Sequence, residues 1–431
     1  MTPRPSRQPC VLFAVLCVLL SVIPGGCQEP AAPGPEVSPE PTDPAGPHWS
    51  RFRGPDGLGV CPFPDIPQDW DCPSGRNVLW STPIPLTGAA SPVLWANRLY
   101  LAGADEQTRE VYCLDADSGG ILWRHQVGEP TTPPKLHPET GHAPSTAVTD
   151  GRHVAAIFPT GDLACYAADG RPLWRHRYDL SQSRWGYGSS PIIHGDVLIV
   201  QLDQGGPEDG LSRILALDLI TGETIWETPR PVAASWTTPI VIDTGQRPEL
   251  ITSAKPWVIA YDPDTGRELW RVRCVEGDSA PSPIHAAGLI LVANIYAELT
   301  AIRPGGAGDV TDSHVAWSVR GRLPDICSPL SDGERVYVLT TQGFLSCYSL
   351  ADGALLWTHD FRTRFSSSPA LVEDRVYLLA EEGTTIVLRA APEFAELGRF
   401  ETGEFCHASF AFSPGRVYIR GRDHLFCIGA R

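Results

Sequence analysis

The sequence predicts an all-β fold: an eight-bladed β-propeller of four-stranded antiparallel blades, closed by an N-terminal strand. Three observations carry this. A strand–turn–strand signature recurs as DADSGGILW (Asp115 to Trp123), AADGRPLW (Ala167 to Trp174), DLITGETIW (Asp218 to Trp226), DPDTGRELW (Asp262 to Trp270) and SLADGALLW (Ser349 to Trp357). In each, a Gly stands four residues before the Trp, where a hairpin turn needs a residue tolerant of positive φ. Trp80 and Trp317 match at the strand end only, and Leu397 stands where a further Trp would fall. The second observation is the period. From Trp80 the successive spacings are 43, 51, 52, 44, 47, 40 and 40 residues, the length of one four-stranded blade. The third is a small polar residue followed by Pro at the start of each unit, as in Ser91-Pro92, Ser190-Pro191, Thr238-Pro239, Ser282-Pro283, Ser328-Pro329 and Ser368-Pro369. Ala143-Pro144-Ser145 and Ala408-Ser409-Phe410 complete eight openings.

Taken in order, residues 1–26 read as an export signal. Arg4 and Arg7 precede an uncharged apolar run from Val11 to Ile23, shorter than the roughly 20 residues a spanning helix needs. Gly25-Gly26-Cys27 resembles a bacterial lipoprotein processing site, with Cys27 lipidated, although Pro24 departs from that pattern. Residues 27–48 are Pro-rich and acidic, so they cannot bury a core and read as a tether. Residues 49–76 read as a segment docked on the main domain, with Arg51, Arg53 and Asp56 as surface or turn groups. Cys61 and Cys72 flank a Pro-rich loop and are candidates for a local disulfide in an exported protein.

Residues 77–431 form the propeller. After each opening comes a turn and then an almost wholly apolar strand, such as VLIV (Val197 to Val200), LILV (Leu289 to Val292) and VYVL (Val336 to Leu339). Apolar residues on both faces mean a strand sandwiched between neighbouring blades. Pro cannot donate to a sheet ladder, and the innermost strand of a blade is an edge that tolerates it. The last blade lacks an outer strand of its own, so the NVLW segment around Trp80 should supply it and close the ring. Trp80, Trp123, Trp174, Trp226, Trp270, Trp317 and Trp357 should dock blade against blade.

The chain carries a net charge of −16 and no basic cluster, which argues against nucleic acid and against electrostatic membrane binding. Cys113, Cys165, Cys347 and Cys427 occupy like positions in different blades. Equivalent positions lie around a ring instead of converging, so these are core fillers and no metal site is expected.

The repeated hairpins and Ser-Pro openings resemble the PQQ-like eight-bladed β-propellers, over residues from about 77 to 428. The resemblance implies one of two roles. Quinoprotein dehydrogenases of this type bind pyrroloquinoline quinone (PQQ) with a calcium ion, a disulfide between adjacent cysteines, an acidic base and a Trp platform. The BamB-type outer-membrane assembly lipoproteins are non-catalytic scaffolds. No adjacent Cys pair occurs here and the connections between repeats are short, so the expectation is a lipid-anchored, monomeric scaffold of the periplasm or outer membrane. It would bind an envelope protein or peptide segment without a cofactor, and PQQ with calcium is the alternative.

Strand alternation places two sets of loops on one face. The interblade loops carry His142, Trp185, Tyr187, Trp236, Asp278, Asp325 and His407. The loops between second and third strands carry Asp203, Lys255 and Tyr296. Aromatic and ionisable groups around a channel mouth form the expected partner-binding face.

Overall fold

The computed structural model describes residues 48–130, 136–138 and 140–430. The expected signal segment, Cys27 and the tether up to residue 47 lie outside the described residues. Eight four-stranded antiparallel sheets follow one another along the chain. Blades 1 to 8 span residues 93–126, 148–177, 192–229, 240–273, 284–319, 330–360, 370–401 and 411–429. Within blades 1 to 7 the four strands run from the innermost to the outermost in chain order. Blade 8 takes its outer strand from Val78–Pro83, with Val78 opposite Ile428 and Trp80 opposite Cys427. The ring is therefore closed by the first long strand of the fold.

The second and third strands of each blade hold the core. Their residues, such as Leu198, Ile199 and Val200 or Val336, Tyr337 and Val338, are wholly buried because both faces meet neighbouring blades. Cys113, Cys165, Cys347 and Cys427 are likewise buried among apolar neighbours.

The Gly–Trp signature has a packing cause. The indole Nε1 of Trp226 donates to Pro263 O of the next blade's hairpin at 3.0 Å. Gly266 of that hairpin, at φ +68°, lies so close that a Cβ there would sit 2.4 Å from Trp226 Cε3. The same pairing seats Gly119 on Trp80, Gly170 on Trp123, Gly222 on Trp174 and Gly353 on Trp317. Each glycine thus serves the tryptophan of the preceding blade as well as its own turn. Trp270 departs from the pattern: its Nε1 donates at 2.8 Å to Glu249 Oε2 of its own blade. The reason lies in blade 5, where an insertion between the third and outer strands adds a short parallel strand, Gly308–Asp309, to the edge of blade 4.

The unit openings form a second ring, inside the first. The amide N–H of Ser91 donates to Thr146 Oγ1 at 2.9 Å, and that of Thr146 to Ser190 Oγ at 2.9 Å. The chain of bonds passes on through Thr238, Ser282, Ser328, Ser368 and Ser409, at 2.9 to 3.1 Å. Ser409 N–H returns to Ser91 Oγ at 3.0 Å and closes the circle. Apart from that of blade 7, an inner strand is a sheet edge with no paired strand beyond it, and these bonds satisfy one buried amide per blade at the channel wall. This corrects the reading of blade 2, whose ring residue is Thr146, next to Ala147, and not part of the Ala143-Pro144 pair. Arg420 adds a clasp at the seam. It is fully buried in blade 8 and donates to Ala90 O and Ala102 O of blade 1 at 3.0 and 2.6 Å.

The segment before the ring is not a surface appendage. Trp49 is buried and its carbonyl accepts from Leu94 N–H at 2.7 Å, while Ser50 O accepts from Thr149 N–H at 2.9 Å. Val60–Cys61 pairs in parallel with the inner strand of blade 7. Arg51 and Arg53, expected at the surface, are 8% and 1% exposed. Their side chains enter the central channel and donate to Pro239 O at 2.6 Å and Pro329 O at 2.7 Å. Local turn chemistry gave no sign of this, because both acceptors lie in distant blades.

Cys61 and Cys72 are free thiols and do not form the expected disulfide. Cys61 lies inside the inner edge of blade 7, whereas Cys72 N–H bonds to Glu401 O on that blade's outer strand. A whole blade separates them, five strand spacings or roughly 24 Å at about 4.8 Å each, far beyond disulfide reach. Burial pushes both thiols up to about 12.

Candidate functional site

One mouth of the channel opens into a cavity of about 410 Å³. Its wall at the narrow end is the hydroxyl ring, seven of whose eight members line it, with the Phe52 ring between the two buried arginines in sequence. Its wider end is built from interblade loops. Trp185 and Trp236 come from the loops entering blades 3 and 4, Asp278 and Asp325 from those entering blades 5 and 6, and His407 from that entering blade 8. Tyr296 joins from the loop between the second and third strands of blade 5.

The aromatic groups are held in place. Trp185 Nε1 donates to Asp278 Oδ2 at 2.7 Å, and the guanidinium of Arg184 lies 4.6 Å from the indole centroid. His137 meets Trp185 edge-on at 5.0 Å. Trp236 Nε1 donates to Gly186 O, which ties the two loops together. Asp325 Oδ1 accepts from the amide of Thr341 at 3.2 Å and from its hydroxyl. Beside the cavity, Tyr296 is 67% and Phe405 56% exposed, an unusual display for large aromatic side chains.

Of the ten residues expected on the binding face, the structure gathers Trp185, Trp236, Asp278, Tyr296, Asp325 and His407 around this cavity. The other four stand elsewhere. Tyr187 is fully buried, with its hydroxyl donating to Gln201 O at 2.9 Å. Asp203 is also fully buried and pairs with Arg230, Nε to Oδ1 at 2.8 Å. Burial pushes the Asp203 carboxyl up, against the pull of Arg230 and the Ser235 hydroxyl. Both residues are structural and have no access to a ligand. Lys255 is outside the cavity lining and pairs with Glu276 at 3.5 Å. His142 is half-buried near Asp105, also outside the lining.

Sequence reasoning missed the ring hydroxyls and Phe52 as lining groups. The signal for the hydroxyls was present: a Ser or Thr recurs before the Pro in most blades.

The cavity can grip apolar and aromatic groups, and its carboxylates can accept hydrogen bonds. Among the described residues no Arg or Lys lines the cavity, and its acidic groups are Asp278 and Asp325. Nor does the chain hold the adjacent cysteine pair that accompanies PQQ in the resembling dehydrogenases.

Comparison with known proteins agrees with the geometry of the ring. The family model described as "Outer membrane protein assembly factor BamB" matches residues 70–240, 210–327 and 254–391. The chain belongs to this family. Among solved structures, BamB from Moraxella catarrhalis superposes with a TM-score of 0.61 at 15% identity, covering 82% of this chain and 97% of that one. The quinohemoprotein alcohol dehydrogenase of Comamonas testosteroni gives 0.65 at 13% identity, covering 89% and 81%. At such identities the likeness is one of fold. A curated relative, quinohemoprotein alcohol dehydrogenase ADH-IIG of Pseudomonas putida, is 27% identical over 214 residues. That match covers 45% of this chain and only 27% of the relative, so the chain spans about a quarter of that enzyme's length.

Proposed function

We propose that this protein is a non-catalytic binding scaffold of the cell envelope, whose channel mouth takes a polypeptide segment. The observation that carries the reading is the cavity itself: aromatic faces of Trp185, Trp236 and Tyr296 converge around a concave opening, with two carboxylates at its wide end. Such surfaces, apolar at the centre and polar at the rim, suit peptide recognition. Family membership alongside an outer-membrane assembly factor supports an envelope role. The export-type N-terminus supports a lipid anchor at Cys27, on a tether that holds the domain clear of the membrane.

A second reading, a PQQ-dependent dehydrogenase, draws support from the match to the Pseudomonas putida enzyme. The residues lining the cavity favour the scaffold. Calorimetric titration with unfolded polypeptides, and dye-linked turnover after incubation with PQQ and calcium, separate the two. The scaffold gives saturable binding that Trp236→Ala weakens at least tenfold, and no turnover. Turnover abolished by Asp325→Ala would replace the scaffold with the enzyme.

A further inference from the structure

The narrow end of the cavity differs in character from the wide end. Each ring hydroxyl accepts one amide N–H, as described above, and that leaves its own O–H as a donor. Among the described residues no ring hydroxyl donates to a protein acceptor, although all eight are at least nine-tenths buried. Seven hydroxyl residues thus border the cavity with an O–H that no protein acceptor receives, and a buried donor without an acceptor is costly.

Positive charge lies directly behind this ring. Arg51 Nη2 bonds to Pro239 O, one residue past the ring's Thr238, and Arg53 Nη2 bonds to Pro329 O, one residue past Ser328. Neither guanidinium has an ion-pair partner among the described residues. Nε of Arg51 and both Nε and Nη1 of Arg53 are buried without a hydrogen bond. Burial holds Arg51 down at about 10, against the pull of Asp56, and Arg53 at about 9 with no carboxylate acting on it. A buried cation without a carboxylate, as at Arg53, favours an anion nearby. By contrast Asp278 and Asp325 precede the ring residues Ser282 and Ser328 by four and three positions, so the carboxylates stand on the loop side and the arginines on the strand side.

We propose that the narrow end of the channel is a carboxylate site, filled by the C-terminal carboxylate of the bound polypeptide. The inference rests on the polypeptide reading above and adds which end of the segment enters. A single negative charge on a slender chain end suits a donor-lined floor reached past two carboxylates. A dianionic phosphate would meet stronger repulsion at the mouth.

The test uses the mature protein and two N-terminally dansylated hexapeptides of one sequence, the first with a free C-terminal carboxylate, the second amidated, followed by fluorescence anisotropy. The amide is expected to bind about tenfold weaker or more, the usual worth of charge-assisted hydrogen bonds. Ser328→Ala should narrow that difference, and if this variant does not fold, the wild-type comparison stands by itself. Equal affinity of the two peptides overturns the carboxylate site while leaving the polypeptide reading intact. If neither peptide binds, the polypeptide reading falls, and thermal melts in acetate and in inorganic phosphate decide the site alone. A saturable rise in Tm with acetate and none with phosphate keeps it as a site for small free carboxylates; no rise with acetate removes it.

Discussion

The seat of Gly266 on Trp226 gives the sharpest test of how the blades are joined. Trp226→Ala removes a large buried ring and its 3.0 Å bond to Pro263 O, and large-to-Ala core changes cost about 3–5 kcal/mol. Gly266→Ala adds a Cβ at φ +68° and 2.4 Å from the same indole. The left-handed backbone costs an alanine about 1–2 kcal/mol, and the overpacking costs about 1–3 kcal/mol more. In the double variant the ring is gone, so the overpacking against the indole disappears, while the backbone cost and the 2.7 Å approach to Thr228 Oγ1 remain. The two changes should therefore be less than additive by about 1–3 kcal/mol. Guanidinium unfolding followed by circular dichroism measures all four corners of the cycle. Independent sites add to within about 0.5 kcal/mol. Additivity at that level would refute the argument that the glycine is present because of the preceding blade's tryptophan.

Three further outcomes follow from particular contacts. Ser328→Ala removes the acceptor of the Ser282 amide and should cost about 1–3 kcal/mol in the same unfolding assay, as a stranded buried donor does. Asp203→Ala strands the fully buried Arg230 guanidinium and should cost about 3–5 kcal/mol, with Asp203→Ala/Arg230→Met recovering much of the loss. The Thr221 amide and hydroxyl hold the Asp218 carboxyl below its usual value of 3.8. Its contribution to stability is thus present above that value and lost as pH falls through the lower folded-state pKa. An acid titration of the unfolding midpoint should be shallower in Asp218→Asn below about pH 4, and an unchanged slope would rule the contact out as a source of acid sensitivity.

How far the sequence spoke depended on the range of each interaction. The hairpins were readable because the Gly, the turn and the Trp lie within nine residues, and the sandwiched strands because both faces are apolar. The closing strand could be inferred by counting outer strands against openings. The inner ring could not, since each hydroxyl's partner lies a blade away and Ser409 meets Ser91 across 318 positions. Arg51 and Arg53 looked like turn residues because Gly54, Pro55 and Gly57 surround them, and their acceptors lie 188 and 276 positions off. Asp203 and Tyr187 looked like loop groups for a similar reason: their burial is set by Arg230 and Gln201, which local pattern does not connect to them. At the site, the aromatic and acidic loop residues stood out by type, whereas the donors of the floor were hidden in a motif explained by its proline.

The central claim is that this channel mouth receives a polypeptide. Replacing His407, at the cavity, with a photo-crosslinking amino acid in the native host tests it most directly, with Leu356 on the outer strand of blade 6 as control. The account predicts protein adducts from position 407 that disappear in Trp185→Ala/Trp236→Ala, and none from 356. Adducts from 356 alone, or adducts from 407 that persist without both tryptophans, would contradict it.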